Sequence, residues 1–111
     1  MKKISLATFI ISILFIWSCT KDSTINCGTT TFKYSTDISP IITAKCNTSG
    51  CHNSSAAGGL NFTTYASVKE HSSHIRDEVN KGSMPKAGSP ALSTDEKTKL
   101  FSWIDACAPN N

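Results

Sequence analysis

The sequence predicts a small all-α domain, and its C-terminal segment carries the clearest signal. Ser93 and Glu96 have the spacing of a capping box, in which each side chain caps a main-chain N–H at the start of a helix. The helix that follows has one apolar face at three- and four-residue spacing, which consists of Leu100, Trp103, Ile104 and Cys107. Pro109 is expected to stop this helix. No segment alternates apolar and polar residues as a half-buried strand would, so no strands are expected.

A short helix and a long loop are predicted ahead of it. Ser39-Pro40 begins the helix, because proline is preorganised for the first helical position. Ile41 and Ile42 should face inward just before Cys46. Residues 47–62 then form a loop rich in Ser, Asn and Gly, and a loop of this length inside a compact domain is usually functional or disordered.

A middle helix completes the predicted layout. Thr63 or Thr64 can cap its start, and it should run to about Lys81 with a break near Ser72-Ser73. Gly82 is expected to end it.

A domain this small seldom builds a sufficient core unaided, since chains below about 70–80 residues usually need a staple such as a cofactor or a disulfide.

The N-terminal residues predict export. Lys2 and Lys3 precede an apolar run over residues 4–17, which is shorter than the roughly 20 residues of a membrane-spanning helix and fits a signal peptide. The segment ending in Ser18-Cys19 resembles a bacterial lipobox, which implies lipidation of Cys19 after cleavage. An ordinary signal peptide and a short uncleaved anchor are the alternatives. The sequence thus predicts a signal peptide over 1–18, a flexible tether over 19–31 and a domain over 32–111.

This organisation implies a place in the envelope of a Gram-negative bacterium. Thr20 follows the lipobox cysteine where an Asp would favour retention in the inner membrane. The expected location is therefore the outer membrane facing the periplasm, with the cell surface as an alternative. The 11 basic and 8 acidic residues form no basic stripe, so we expect no binding to nucleic acid.

Residues 46–52 carry the most specific motif. Two nearby cysteines, the second followed at once by a histidine, are the arrangement that attaches haem covalently, through two thioethers and an axial imidazole. The usual motif has two residues between the cysteines, whereas Cys46 and Cys51 enclose four, so the extra residues must bulge. The Asn, Ser and Gly residues between them suit such a bulge. His52 is the predicted axial ligand.

Met84 is the predicted second axial ligand. It precedes Pro85, which biases its backbone toward an extended conformation, and a Met/His pair raises the haem potential relative to two nitrogen ligands. The alternative for Met84 is a side chain that fills a gap between helices. His71 and His74 lie three residues apart on the predicted middle helix and share a face. They are either competing ligands or solvated histidines.

Residues 32–111 resemble a short class I monohaem c-type cytochrome. The resemblance rests, in order, on the segments FKYSTDISPIITAKC, CH, GGLNFTTY, GSMP and LSTDEKTKLFSWIDACAPNN. It implies three to four helices around one covalently bound haem c, with the distal ligand at the matching Met-Pro. The last helix is expected to cross the first, so that Leu100 and Ile104 meet Ile41 or Ile42. The widened cysteine spacing is the main departure from the family pattern.

Two further cysteines, Cys27 and Cys107, precede the first helix and end the last. Thiols tend to pair in an oxidising compartment. If the two helices cross as the resemblance implies, a Cys27–Cys107 disulfide would tie the tether to the domain. Two free thiols are the alternative.

The function that these patterns favour is electron transfer by a lipid-anchored, non-enzymatic carrier. With both axial positions filled, the iron has no open site for oxygen or peroxide, and partner redox proteins would dock through small transient interfaces. One alternative is a zinc-binding module that uses Cys46, Cys51 and His52 with His71 or His74. Another is a binding lipoprotein without cofactor in which Cys46 and Cys51 are paired. A Cys-His hydrolase is disfavoured because nothing supplies an orienting acid or an oxyanion site.

Overall fold

The computed structural model describes residues 25–55 and 59–111. Within these residues the chain forms four α-helices and one π-helical turn. The π-helical turn spans Tyr34–Ile38 and continues directly into α1, Ser39–Lys45. The middle helices are α2, Tyr65–Glu70, and α3, Ser72–Lys81, and the last is α4, Thr94–Asp105. These described residues contain no strand, so the all-α prediction is confirmed.

The helix starts follow the sequence signals closely. Pro40 stands in the first turn of α1, and the Thr64 hydroxyl accepts the Ser67 N–H at the start of α2. The predicted capping box at α4 is present in both directions: Ser93 Oγ accepts the Glu96 N–H at 3.2 Å, and Glu96 Oε2 accepts the Ser93 N–H at 2.7 Å. Local side-chain chemistry therefore sets where these helices begin.

The predicted ends of the middle helices are confirmed, whereas the predicted end of the last helix is wrong. The middle helix breaks at His71, next to the predicted Ser72-Ser73, and α3 ends at Gly82 as expected. The last helix ends at Asp105, ahead of both Cys107 and Pro109, so Cys107 does not extend its apolar face. Cys107 and Ala108 adopt left-handed backbone conformations, with φ of 63° and 50°, and these end the helix before proline can.

The core forms where α4 meets the π-helical turn and α3. Its largest fully buried side chains are Trp103, Ile38, Ile42, Leu100 and Val68. Leu100 lies in the same buried cluster as Ile41 and Ile42, with Ile104 partly buried against it. These residues therefore share one buried cluster, but α4 makes its main contacts with α3 and with the turn before α1, and not with α1 itself.

A disulfide joins Cys27 to Cys107, with the two Cα atoms 5.2 Å apart, so the predicted pairing is confirmed. Beside it, the Gly28 N–H donates to Asp105 O at 2.9 Å, and the Thr30 and Ser102 hydroxyls are 3.1 Å apart. A Cβ atom at Gly28 would lie 3.3 Å from Asp105 O, a tight contact, so glycine suits the point where this segment meets the end of α4. Residues 27–30, part of the predicted tether, therefore lie against α4.

The C-terminal residues fold back onto the core through hydrogen bonds. Trp103 Nε1 donates to Pro109 O at 2.9 Å, and the Tyr65 hydroxyl donates to Ala108 O at 2.8 Å. Asn111 Oδ1 accepts the Tyr34 N–H at 2.8 Å. We call the assembly of residues 27–30, α4 and residues 106–111 the C-terminal clasp.

The described helices are too short or too polar for any of them to cross a membrane. The predicted signal peptide and the lipidation of Cys19 lie outside the described residues.

Candidate functional site

A cleft of about 240 Å³ lies on the side of the domain formed by α3, the loop after α1 and the segment after α3. The four residues predicted to hold the cofactor, Cys46, Cys51, His52 and Met84, all line it. Four apolar side chains also line the cleft: Leu60, Phe62, Ile75 and Val79. Residues that are far apart in the sequence thus share one largely apolar recess, which is the usual character of a cofactor pocket.

Main-chain hydrogen bonds fold the loop that carries the two thiols. Ile42 O accepts both the Cys46 N–H and the Asn47 N–H at 2.9 Å, so the loop starts from the last turn of α1. Farther along, the His52 N–H donates to Cys46 O at 3.1 Å and closes the widened motif on itself. Gly50 has a φ of 77°, a conformation that glycine adopts at little cost. The four intervening residues therefore form a compact bulge, as the spacing predicts.

The His52 imidazole is oriented by one hydrogen bond and one ring contact. Its Nδ1 lies 2.9 Å from Leu60 O, and its ring stacks on Phe62 with 4.5 Å between centroids. Because a carbonyl oxygen only accepts, the Nδ1 must carry the proton in this bond, which leaves the Nε2 lone pair of the neutral ring for a metal. Metal-ligating histidines commonly have such a carbonyl partner.

Asn47 ties the two ends of this loop together, a role that sequence reasoning missed. Its Nδ2 donates to Phe62 O at 2.9 Å, and the Phe62 N–H in turn donates to His52 O at 2.8 Å. The Asn47 Oδ1 is buried and has no hydrogen-bond partner among the described residues. No local pattern could mark this contact, because its two partners are separated by most of the loop.

Cys46 and Cys51 are both free and half-buried, in contrast to the paired Cys27 and Cys107. Burial, reinforced by the neighbouring Cys51, raises the pKa of the Cys46 thiol to about 11. Cys46 is therefore a protonated thiol at neutral pH. The pairing required by the cofactor-free alternative is absent, and both thiols are unpaired.

The end of α3 determines where Met84 lies. Gly82, at φ 76°, allows a Schellman motif in which the Gly82 N–H donates to Val79 O at 3.2 Å and the Ser83 N–H to Glu78 O at 3.0 Å. The Met84 N–H also donates to Glu78 O, at 3.2 Å. These bonds turn the chain back toward α3, so the half-buried Met84 side chain lines the cleft.

The competing histidines are not equivalent. The break between α2 and α3 falls at His71, whose ring lies 6.0 Å from Phe62, and His71 is not among the residues that line the cleft. His74 is exposed on α3 and does line it. The predicted shared helix face is therefore interrupted, and His74 is the histidine beside the cleft that could replace Met84.

The donor set of the cleft could hold a covalently attached haem. In residues 25–55 and 59–111, no group of three or more His, Cys, Asp and Glu side chains is arranged to hold a metal ion. The cleft instead combines two free thiols, one imidazole nitrogen and one thioether with an apolar lining. The two thiols could form the thioether bonds of haem c. The imidazole nitrogen and the thioether sulfur could ligate its iron, and the apolar lining could face its flat macrocycle.

Comparisons with family models, with curated proteins and with solved structures find no match for this chain.

Proposed function

We propose that residues 32–111 form a monohaem c-type cytochrome domain that transfers single electrons. The observation that carries the proposal is the common cleft of Cys46, Cys51, His52 and Met84. The hydrogen bond from His52 Nδ1 to Leu60 O adds weight, because it leaves Nε2 as the ligating atom. A role for His52 as a merely solvated or packed histidine would not require this orientation.

Each residue of the cleft has a distinct part. The Cys46 and Cys51 thiols would each add S–H across a vinyl C=C bond of the haem, which gives two thioethers without an oxidant. His52 Nε2 and Met84 Sδ would ligate the iron. When bound, haem c supplies one iron that cycles between the ferrous and ferric states. The chain's own contribution is to orient the ligands and keep the recess apolar.

The proposal makes this protein an electron carrier and not an enzyme. Two protein ligands leave no open coordination position for a substrate, and small redox proteins would dock transiently where the cleft opens to solvent. The balanced charge of the chain gives no reason to expect nucleic acid as a partner. Lipidation of Cys19 would hold the domain at the outer membrane, facing the periplasm. Labelling with a radioactive fatty acid, which Cys19→Ala should abolish, tests the anchor.

Expression with a cytochrome maturation system tests the haem directly. The wild-type chain should be coloured, should show low-spin ferrous and ferric absorbance, and should gain the mass of one haem. Cys46→Ala together with Cys51→Ala should abolish the mass increase. The matched control is Cys27→Ser with Cys107→Ser, which also removes two cysteines but should retain haem. Colourless wild-type protein from cells that mature other c-type cytochromes would overturn the proposal.

Met84 and His74 are distinguished by the same preparation. Met84→Ala should lower the reduction potential and change the low-spin spectrum, because a thioether ligand favours the ferrous state. His74→Ala should leave both as in the wild type. The reverse outcome would assign the sixth position to His74.

A further inference from the structure

We infer that Glu78 is a positioning residue for Met84, acting through the side chain of Ser83. This inference rests on the proposed function, since it concerns the residue that would complete the iron coordination. The inference concerns the side chains of Glu78 and Ser83, whose contacts the Schellman motif does not require. A helix end of this kind needs only Gly82 and the main chain.

Glu78 holds the Ser83 side chain from two directions. The Ser83 hydroxyl lies 3.0 Å from the Glu78 main-chain oxygen and also donates to Glu78 Oε2. Because the Glu78 carbonyl also accepts the Met84 N–H, one residue of α3 contacts both residues of the turn that leads into the cleft. We call these contacts the Glu78–Ser83 latch.

The charges around the latch favour the ionised carboxylate. The Ser83 hydroxyl, and after it Lys81, hold the pKa of Glu78 below its usual value. Lys81 Nζ lies 3.3 Å from Glu78 Oε1, on the oxygen that Ser83 does not use, and Lys81 is well exposed. Lys81 therefore offers a control: its removal takes away a neighbouring charge but no contact with Ser83.

The latch matters because the chain beyond Met84 is held at more distant points. The Ser89 N–H closes a turn on Lys86 O at 3.0 Å, and Lys45 Nζ contacts Ala91 O at 3.0 Å. Between Ser83 and this turn the cleft wall consists of Met84 and Pro85 with their half-buried side chains. The side-chain bonds of Ser83 thus fix the end of the segment nearest to the ligand.

Oxidation of Met84 by dilute hydrogen peroxide measures this positioning without haem. The chain has two methionines, Met1 and Met84, so tryptic peptides of the full chain report Met84 sulfoxide unambiguously. Ser83→Ala and Glu78→Ala should raise its rate of formation about two- to tenfold, which corresponds to the loss of an ordinary hydrogen bond. Glu78→Gln keeps an acceptor and should restore most of the protection, and Lys81→Gln should match the wild type.

The unfolding temperature separates positioning from general destabilisation. Ser83→Ala and Glu78→Ala should lower the unfolding temperature by only a few degrees, as the loss of one hydrogen bond does in a small domain. Thr30→Ala removes hydrogen bonds away from the cleft and serves as the destabilised control, in which Met84 should oxidise at the wild-type rate. Equal oxidation rates in wild type and both variants would overturn the inference, and so would an equal rise in Thr30→Ala. This result does not depend on whether the wild type binds haem, so it is distinct from a failure of the proposed function.

The haem-loaded chain tests whether the Glu78–Ser83 latch affects Met84 as an iron ligand. Ser83→Ala should shift the reduction potential in the same direction as Met84→Ala but by less, with Lys81→Gln unchanged. A haem-loaded Ser83→Ala variant with the wild-type potential and spectrum would contradict a positioning role for the latch.

Discussion

The C-terminal clasp and the cleft differ in how they use their reactive groups. In the clasp, two cysteines pair with each other, the Trp103 indole N–H finds a carbonyl, and the Trp103 ring is fully buried. In the cleft, two cysteines stay free and Met84 and His52 remain only half-buried. The groups of the clasp bond to one another, whereas the cleft presents the groups that the proposed haem would engage.

This difference teaches where stability and function are located in a small chain. The fully buried side chains belong to α4, α2, α1 and the π-helical turn, so removing them should unfold the domain. Changes at the half-buried Cys51, His52 and Met84 should cost less stability and would instead alter the chemistry of the proposed haem. Substitutions in the two regions test that separation, and they are expected to differ widely in their effects.

Trp103→Ala should be the most damaging single change to the clasp. Trp103 is fully buried, and replacing a buried aromatic residue by alanine costs about 3–5 kcal/mol. The variant also loses the bond from Nε1 to Pro109 O. Urea unfolding of the full chain measures the loss, and Trp103→Phe should be intermediate. The exposed Ile25 is the control, since Ile25→Ala should change stability by no more than about 0.5 kcal/mol.

Opening the disulfide should have the next largest effect. Cys27 and Cys107 are 80 residues apart, and closing a loop of this size contributes about 2–5 kcal/mol, mainly through the unfolded chain. Cys27→Ser with Cys107→Ser should lower the free energy of unfolding by this amount in the protein without haem. Cys46→Ala with Cys51→Ala removes two unpaired thiols and should cost clearly less. Equal losses in the two double variants would contradict the separation between clasp and cleft.

Asn47→Ala should have a small effect on stability and a visible effect on the cleft. The variant loses the bond to Phe62 O but also removes a buried Oδ1 that has no partner, so the net cost should be about 1 kcal/mol or less. Phe62 stacks on His52, and a loosened loop should therefore alter the environment of the imidazole. The chemical shifts of the His52 ring protons should move while the unfolding midpoint changes little. Asn53→Ala is the matched control, because its Oδ1 accepts local hydrogen bonds from Ser55.

The features that could be predicted from sequence depend on residues that are close together in the chain. The capping box fixes the start of α4 within four residues of chain, and Gly82 ends α3 because it alone in that turn favours a left-handed backbone. The residues of the cleft were also predictable, since Cys46, Cys51 and His52 form one short motif and Met84 precedes a proline.

The features that sequence reasoning missed depend on distant partners. Tyr34–Ile38 winds as a π-helical turn where α4 packs against it, and α4 ends at Asp105 where the disulfide and the Tyr65 hydroxyl hold the next residues. The bond from Asn47 to Phe62 likewise crosses the long loop. Such contacts exist only after the chain is folded, so neither spacing nor propensity reveals them.

Acidification should weaken the Glu78–Ser83 latch and have the smallest effect of the set. The pKa of Glu78 is lowered from 4.5 in the folded chain by the Ser83 hydroxyl and then by Lys81. A lowered carboxyl pKa means that the latch is fully formed above pH 4.5 and is lost as the pH falls through the folded value. Met84 in the haem-free chain should therefore oxidise faster below pH 4.5, within a pH range where the domain remains folded by circular dichroism.

The Ser83→Ala variant decides whether this pH dependence belongs to the latch. Without the hydroxyl, Met84 should oxidise at an already raised rate that no longer changes as Glu78 is protonated. His74 also lies beside the cleft, and His74→Ala should keep the acid step. An acid step that persists in Ser83→Ala would assign it to another carboxyl group and would leave the position of Met84 to the main-chain bonds of the Schellman motif alone.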